Sequence, residues 1–187
     1  LNIAQTLNET SEVWLDRVAD YNQNARDRLS IKAVANFILP LLKKVKDYKE
    51  NKDKNSKEIK KIIIKHINAF WGGLKLAFPE MFDPNTAAYY NVMKAGPAEI
   101  LMLVLTTMYE KGTLPEINLG DLSKEQDFKK TLSQALKNLK LENSEPVPRK
   151  VSGSSLFEVG AKGVIGKYSN NAAKKEFAKL IMAEVYR

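Results

Sequence analysis

The 187-residue chain carries 30 Lys and Arg against 22 Asp and Glu, a formal charge of +8, and 44% of its residues are hydrophobic. That balance belongs to a globular domain and excludes disordered, collagen-like and continuous coiled-coil chains, while the absence of cysteine removes disulfides, thiolate nucleophiles and Cys-ligated zinc. No apolar run approaches the roughly 20 residues that cross a bilayer, so no membrane is expected as a partner.

The length suits one helical domain over residues 1–187. The opening Leu1 in place of Met reads as a segment of a longer protein, and the lack of Cys points to a cytoplasmic setting. Lysine supplies most of the positive charge. Its ammonium is a point charge on a flexible stem, suited to phosphates more than to base edges, although such a surface also serves solubility alone.

In chain order, Thr10 and Ser11 are expected to cap a helix carrying Val13, Trp14, Val18 and Tyr21, loosened at Asn22 to Asn24. Ser30 opens a second helix with Ile31, Val34, Ala35, Ile38, Leu41, Leu42 and Val45 on one face. Pro40, which removes a backbone donor, should kink or interrupt it. From Lys43 to Lys61 nine lysines face four acids, for a local charge of +5. The middle of this stretch, Lys49 to Asn55, has no apolar anchor and reads as an exposed, mobile connection.

Ser56 should cap the clearest helix, whose stripe is Ile59, Ile62, Ile63, Ile67, Phe70, Trp71 and Leu74. Phe78-Pro79 ends it, and Asp83-Pro84-Asn85 turns the chain into a short helix through Ala87, Tyr90 and Met93. Gly96-Pro97 breaks the chain before a helix from Ala98 to Glu110, apolar on most sides and therefore central. After a loop with Gly112, Pro115 and Gly120, a capping-box spacing of Ser123 and Gln126 precedes a helix with Phe128, Leu132, Leu136 and Leu139. Glu142 to Pro148 reads as a polar linker and Val151 to Tyr168 as a glycine-rich loop. Asn170 caps a last helix with Ala173, Phe177, Leu180, Ile181 and Val185 inward. No strong hairpin pattern is present. The expected fold is all-α, an irregular bundle of about six to seven helices with a Lys-rich connector and a Gly-rich loop before the C-terminal helix.

No catalytic residue, metal ligand set or cofactor is expected. His66 is the only histidine and sits among Ile62, Ile63, Ile67 and Phe70, where a structural role outweighs a catalytic one that needs further partners. The acidic pairs Glu80 with Asp83 and Asp121 with Glu125 flank turns and suit turn and cap roles. Ala161 to Tyr168 lacks the first Gly and the metal-binding hydroxyl of a triphosphate loop. A looser phosphate-binding loop of Lys162, Gly163, Gly166, Lys167, Asn170 and Lys174 remains, against the alternative of a plain surface loop. Lys43, Lys44, Lys46, Lys57, Lys60 and Lys61 are the candidate nucleic-acid contacts, against the alternative of a solvated connector. Trp14, Trp71, Tyr89 and Tyr90 are stacking candidates, with Trp71 discounted because it belongs to the core stripe.

The segments Ser11 to Val18, Ser30 to Leu42, Phe70 to Pro79 with its Trp71-Gly72-Gly73 step, and Tyr90 to Gly96 are followed by an apolar helix, a glycine-rich loop and a closing helix. In this order they resemble the C-terminal helical part of DGQHR-domain proteins, a family that includes the regulator encoded with bacterial DNA phosphorothioation systems. The Asp-Gly-Gln-His-Arg signature itself is absent, and with it any nuclease-like activity of the upstream portion. The resemblance implies a helical region of a bacterial or phage protein of DNA modification, defence or mobile elements. The function expected is therefore non-catalytic, contacting DNA phosphates through lysines. The alternatives are a scaffold for other protein subunits or self-association, and a fragment of a nucleotide-binding enzyme completed by upstream residues.

Overall fold

Five of the six helices among the described residues close a ring of packing contacts, which gives the chain its all-α irregular-bundle architecture. A computed structural model describes residues 2–19, 29–47, 51–111 and 125–187. Its helices are α1 (Asn2–Thr10), α2 (Ile31–Asp47), α3 (Ser56–Ala77), α4 (Ala95–Lys111), α5 (Glu125–Asn138) and α6 (Asn171–Val185). α2 lies on α3 and α4, α4 on α6, α6 on α5 and α5 on α3, while α1 covers α2 and α3. α4 is the central helix the sequence implies, with Ile100, Leu101, Met102, Val104, Leu105 and Met108 all buried. Lys44 on α2 meets Glu110 at the C-terminal end of α4, and Lys174 on α6 meets Glu99 near its N-terminal end. The lysine-rich junction between α2 and α3 therefore sits at the C-terminal end of α4.

The first predicted helix is displaced. α1 ends at Thr10, where that helix was expected to begin, and Ser11 starts only a single turn, its hydroxyl accepting from Val13 N and Trp14 N. Asp16 adopts a left-handed φ of 55°, which stops the turn. Asn8 Oδ1 then takes Val18 N at 2.8 Å, and Val18–Ala19 (β1) runs parallel to Leu29–Ser30 (β2). Val13, Trp14 and Val18 are nevertheless buried, so apolar spacing identified the core while misreading the backbone. Tyr21 and Asn22 to Asn24 lie outside the described residues.

α2 begins as expected, with Ser30 Oγ accepting from Ala33 N. It runs without interruption through Pro40. Pro40 and Asn36, one turn earlier, are both exposed, so the carbonyl that loses its partner can be hydrated. Of the connection expected over Lys49 to Asn55, Lys49 and Glu50 lie outside the described residues and Lys52 to Asn55 are exposed as expected, but Asn51 supplies an anchor. Asn51 is buried, its Nδ2 donating to Val45 O at 2.9 Å and Tyr109 OH at 3.1 Å, and its Oδ1 accepting from Lys54 Nζ at 2.7 Å. A polar side chain does here what an apolar anchor does elsewhere. Asn51→Leu should cost about 1–3 kcal/mol in urea unfolding, because it leaves the Val45 carbonyl and the Tyr109 hydroxyl buried without that partner. A change under about 0.5 kcal/mol, the ordinary scale of surface substitutions, would show that the bridge is incidental.

Asn55, not Ser56, caps α3, and it does so reciprocally: Asn55 Oδ1 accepts from Lys57 N and Glu58 N while Glu58 returns a bond to Asn55 N. Phe78-Pro79 ends the helix as expected, and Asp83 Oδ1 takes Asn85 N in the following turn. The short helix expected through Ala87, Tyr90 and Met93 is a single 3-10 turn, Ala87–Tyr89. Tyr90 is extended and bridges antiparallel to Glu158, with Asn91 N donating to Phe157 O and Val159 N to Tyr89 O.

α5 buries Phe128, Leu132 and Leu136, and the residues expected to shape the loop before it, Gly112, Pro115, Gly120 and Ser123, lie outside the described residues. The stretch read as a linker holds a hairpin, Leu141–Glu142 (β3) against Lys150–Val151 (β4). Strands of two residues are too short to show alternation. Asn143 holds them together, its main-chain N–H donating to Arg149 O and its Oδ1 accepting from Arg149 N. In α6, capped by Asn170, Phe177, Ile181 and Val185 are buried as expected, while Ala173 and Leu180 are half-buried.

Candidate nucleic-acid interface

Because Asn51 ties the end of α2 to Tyr109 on α4, the last turns of α2 and the first turn of α3 share one end of the bundle. Lys43 and Lys46 are exposed there on α2, and Lys57 and Lys61 on α3. Lys60 is half-buried. Lys44 differs from these, donating to Glu110 at 2.7 Å. That hydrogen bond, together with the Lys44 charge, holds the Glu110 carboxyl below the ordinary range of glutamate. Glu58 is occupied in capping α3. Of the six candidate lysines the structure thus gathers four exposed ones at one end of the bundle and engages Lys44 internally.

The glycine-loop candidates meet a different environment. Lys167 Nζ donates to Glu142 O at 2.7 Å and Asn143 O at 3.1 Å, and Lys174 Nζ pairs with Glu99 at 2.6 Å. Asn170 Oδ1 accepts from Ala173 N, which occupies one of the donors at the start of α6. Gly163 is buried against the backbone of Glu158, closely enough that a β-carbon would collide with the Glu158 carbonyl oxygen. Its glycine is a packing requirement. Gly166 and Lys162 are exposed, while the Lys162 carbonyl accepts from Asn143 Nδ2. An anion at this loop competes with protein acceptors for both Lys167 and Lys174.

The remaining candidates follow their structural roles. His66 is 5% exposed, with its ring tilted 5.4 Å from that of Tyr109. Asp83 serves the Asn85 turn, and Glu125 lies over Gly72, while Asp121 is outside the described residues. Trp14 and Trp71 are buried and cannot stack on a base; Tyr89, at 68% exposure, is the stacking candidate that faces solvent. Among the described residues no group of His, Asp and Glu is placed to hold a metal, and no helix is long and apolar enough to cross a membrane.

Sequence reasoning missed Arg17 and Lys94, which line one cavity although 77 positions separate them. Nothing in their local spacing links them, since the turn that directs Arg17 depends on the left-handed Asp16. No protein-family model, curated protein or solved structure matches the chain.

Proposed function

We propose that the chain is a non-catalytic helical region of a DNA-associated protein that holds duplex DNA by its phosphates. The single observation that supports this best is the gathering of Lys43, Lys46, Lys57 and Lys61 at one end of the bundle. Ammonium groups on flexible stems neutralise phosphates without reading bases, so the contact predicted is salt-sensitive and weakly selective. The resemblance to the helical part of DGQHR-domain proteins supports the same reading and suggests a bacterial or phage setting in DNA modification or defence. A cytoplasmic location belongs to this reading.

The double variant Lys57→Glu/Lys61→Glu tests it by fluorescence anisotropy on a labelled duplex. Two lost phosphate contacts should lower the log-log salt slope by about 2 and weaken binding about tenfold or more at low salt. Unfolding is not expected to cause the loss, because both side chains are exposed and Lys57 stands in the first turn of α3, where an acidic side chain is favourable. Unchanged affinity and slope would remove this end of the bundle from DNA binding.

A protein-interaction scaffold is the second reading, favoured by one observation. Leu103 and Thr107 of α4 and Ala178, Met182 and Tyr186 of α6 or its end line a largely apolar groove of about 430 Å³. A concentration-dependent dimer in light scattering, with no DNA binding at low salt, would favour this reading over the first.

A further inference from the structure

Beside the core face of α6, formed by Phe177, Ile181 and Val185, a second row recurs at three- and four-residue steps: Lys175, Ala178, Lys179, Met182, Ala183 and, just past the helix, Tyr186. On α4 the residues Leu103, Thr107 and Lys111 form the facing row, each one turn from the next. These two rows are the walls of the groove of about 430 Å³. Lys174 pairs with Glu99 at 2.6 Å and joins the N-terminal parts of both helices, so the groove runs along the pair. Lys175 to Tyr186 spans about 16 Å of chain, the length of about three helical turns.

The floor is apolar. Ala178 and Met182 are buried, Leu103 and Thr107 are half-buried, and Ala183 is exposed at the edge. Thr107 Oγ1 donates to Leu103 O at 2.9 Å, so its hydroxyl is engaged within α4. The rim is basic. Lys111, Lys175 and Lys179 are exposed, and no carboxylate is among the described lining residues. Of the acids beside these rows in the sequence, Glu110 is engaged by Lys44 and Glu184 by Arg187, while Glu176 lies outside the lining.

This combination of floor and rim selects the occupant. A DNA backbone meets lysines but gains nothing from a floor of Leu, Met and Ala. A second copy paired about a two-fold axis would set the lysine rim against itself, in a chain that already carries +8. A bilayer receives an apolar face that projects into it, whereas here the apolar side chains lie deeper than the lysines. A helix with an apolar stripe between acidic flanks matches both the floor and the rim.

We infer that the groove between α4 and α6 seats an acidic amphipathic helix of a protein partner. Its stripe lies on Leu103, Met182 and Tyr186, and its carboxylates meet Lys111, Lys175 and Lys179. This inference rests on the scaffold reading and narrows it to a partner of opposite charge. DNA binding at the lysine-rich end is neither required nor opposed.

The probe is a fluorescein-labelled peptide of about 15 residues, with Leu at i, i+4, i+7 and i+11 and Glu on both sides of that stripe. Anisotropy on the full chain should give saturation with a Kd below about 100 μM, and a peptide of the same composition with its leucines spread around the helix should bind about tenfold more weakly. Ala183→Glu adds a carboxylate at an exposed edge of the floor and should weaken the first peptide about tenfold with an unchanged melting temperature. Lys175→Glu/Lys179→Glu should weaken it as much, and a peptide with Lys in place of Glu should recover the affinity on that variant.

No saturation below about 1 mM would overturn the inference, and equal affinity of the two peptides would do so by reducing the contact to charge alone. Lost peptide binding in Lys57→Glu/Lys61→Glu would also overturn it, by placing the peptide on the lysine cluster. A light-scattering dimer abolished by Ala183→Glu would give the groove to a second copy, which keeps the scaffold reading and removes this one. Co-sedimentation with phosphatidylserine vesicles abolished by the same change would give the groove to a lipid surface and remove both.

Discussion

Trp71→Ala should destabilise the fold by about 3–5 kcal/mol, the range for truncating a large aromatic in a closed core. Trp71 is fully buried and joins four parts of the chain. Its ring meets Trp14 edge-to-face at 5.0 Å, Phe70 at 6.2 Å and Phe82 at 6.5 Å, and its Nε1 donates to Met102 Sδ at 3.5 Å. The turn after α1, the body of α3, the segment after it and central α4 therefore share one side chain. Truncation leaves a void that rigid neighbours cannot all collapse into, beyond the transfer energy lost. Thermal melting should fall by about 10 °C or more at this chain length. A loss under about 1 kcal/mol would mean that this cluster is loosely packed and that its rings rearrange freely.

The second large effect is expected at Gly73. A β-carbon there would stand 2.5 Å from Phe128 Cβ, 2.8 Å from Glu125 O and 2.9 Å from Lys129 N. Two of those three atoms are the backbone of α5, which cannot turn aside as a side chain can. Gly73→Ala should thus force α3 and α5 apart and cost up to about 3 kcal/mol, the upper end for overpacking, despite the better helix propensity of alanine.

Gly72 provides the control. A β-carbon at that position meets only the Glu125 side chain, at 2.6 Å from Oε1, and this exposed carboxylate arm can swing away. Gly72→Ala should therefore be neutral or stabilising by up to about 1 kcal/mol. Guanidinium unfolding of the pair checks both expectations. Equal stabilities would refute the close crossing of α3 and α5 at Gly73.

The fold class was legible because α2, α3, α4 and α5 each carry an apolar stripe or an all-round apolar surface long enough to specify a helix without help. The departures occur where side-chain hydrogen bonds override periodicity. Asn8 and the left-handed Asp16 end what reads as a helix through Val18, Asn51 anchors what reads as a loose connector, and Asn143 builds a hairpin too short to alternate. Each of these depends on a partner supplied by another part of the chain. Polar side chains in turn are ambiguous in a lone sequence, because the same Asn can cap, bridge or face water.

The lysine-rich end was legible for a simpler reason: its members lie on two helices that are consecutive in the sequence. Which lysines are exposed was not, since Lys44 is distinguished only by Glu110, 66 positions later. The Arg17 and Lys94 cavity is the extreme case. Its two cations come from opposite sides of α2 and α3 in the sequence and share no pattern.

The closed circuit of five helices also constrains how the molecule can assemble. Its last member must reach α4 across contacts such as Lys174 with Glu99, 75 positions apart, before the central apolar rod is sheltered on that side. Loop closures of that span are entropically costly and slow. During synthesis, α2, α3 and α4 therefore emerge before α6 can shelter this flank of the central helix.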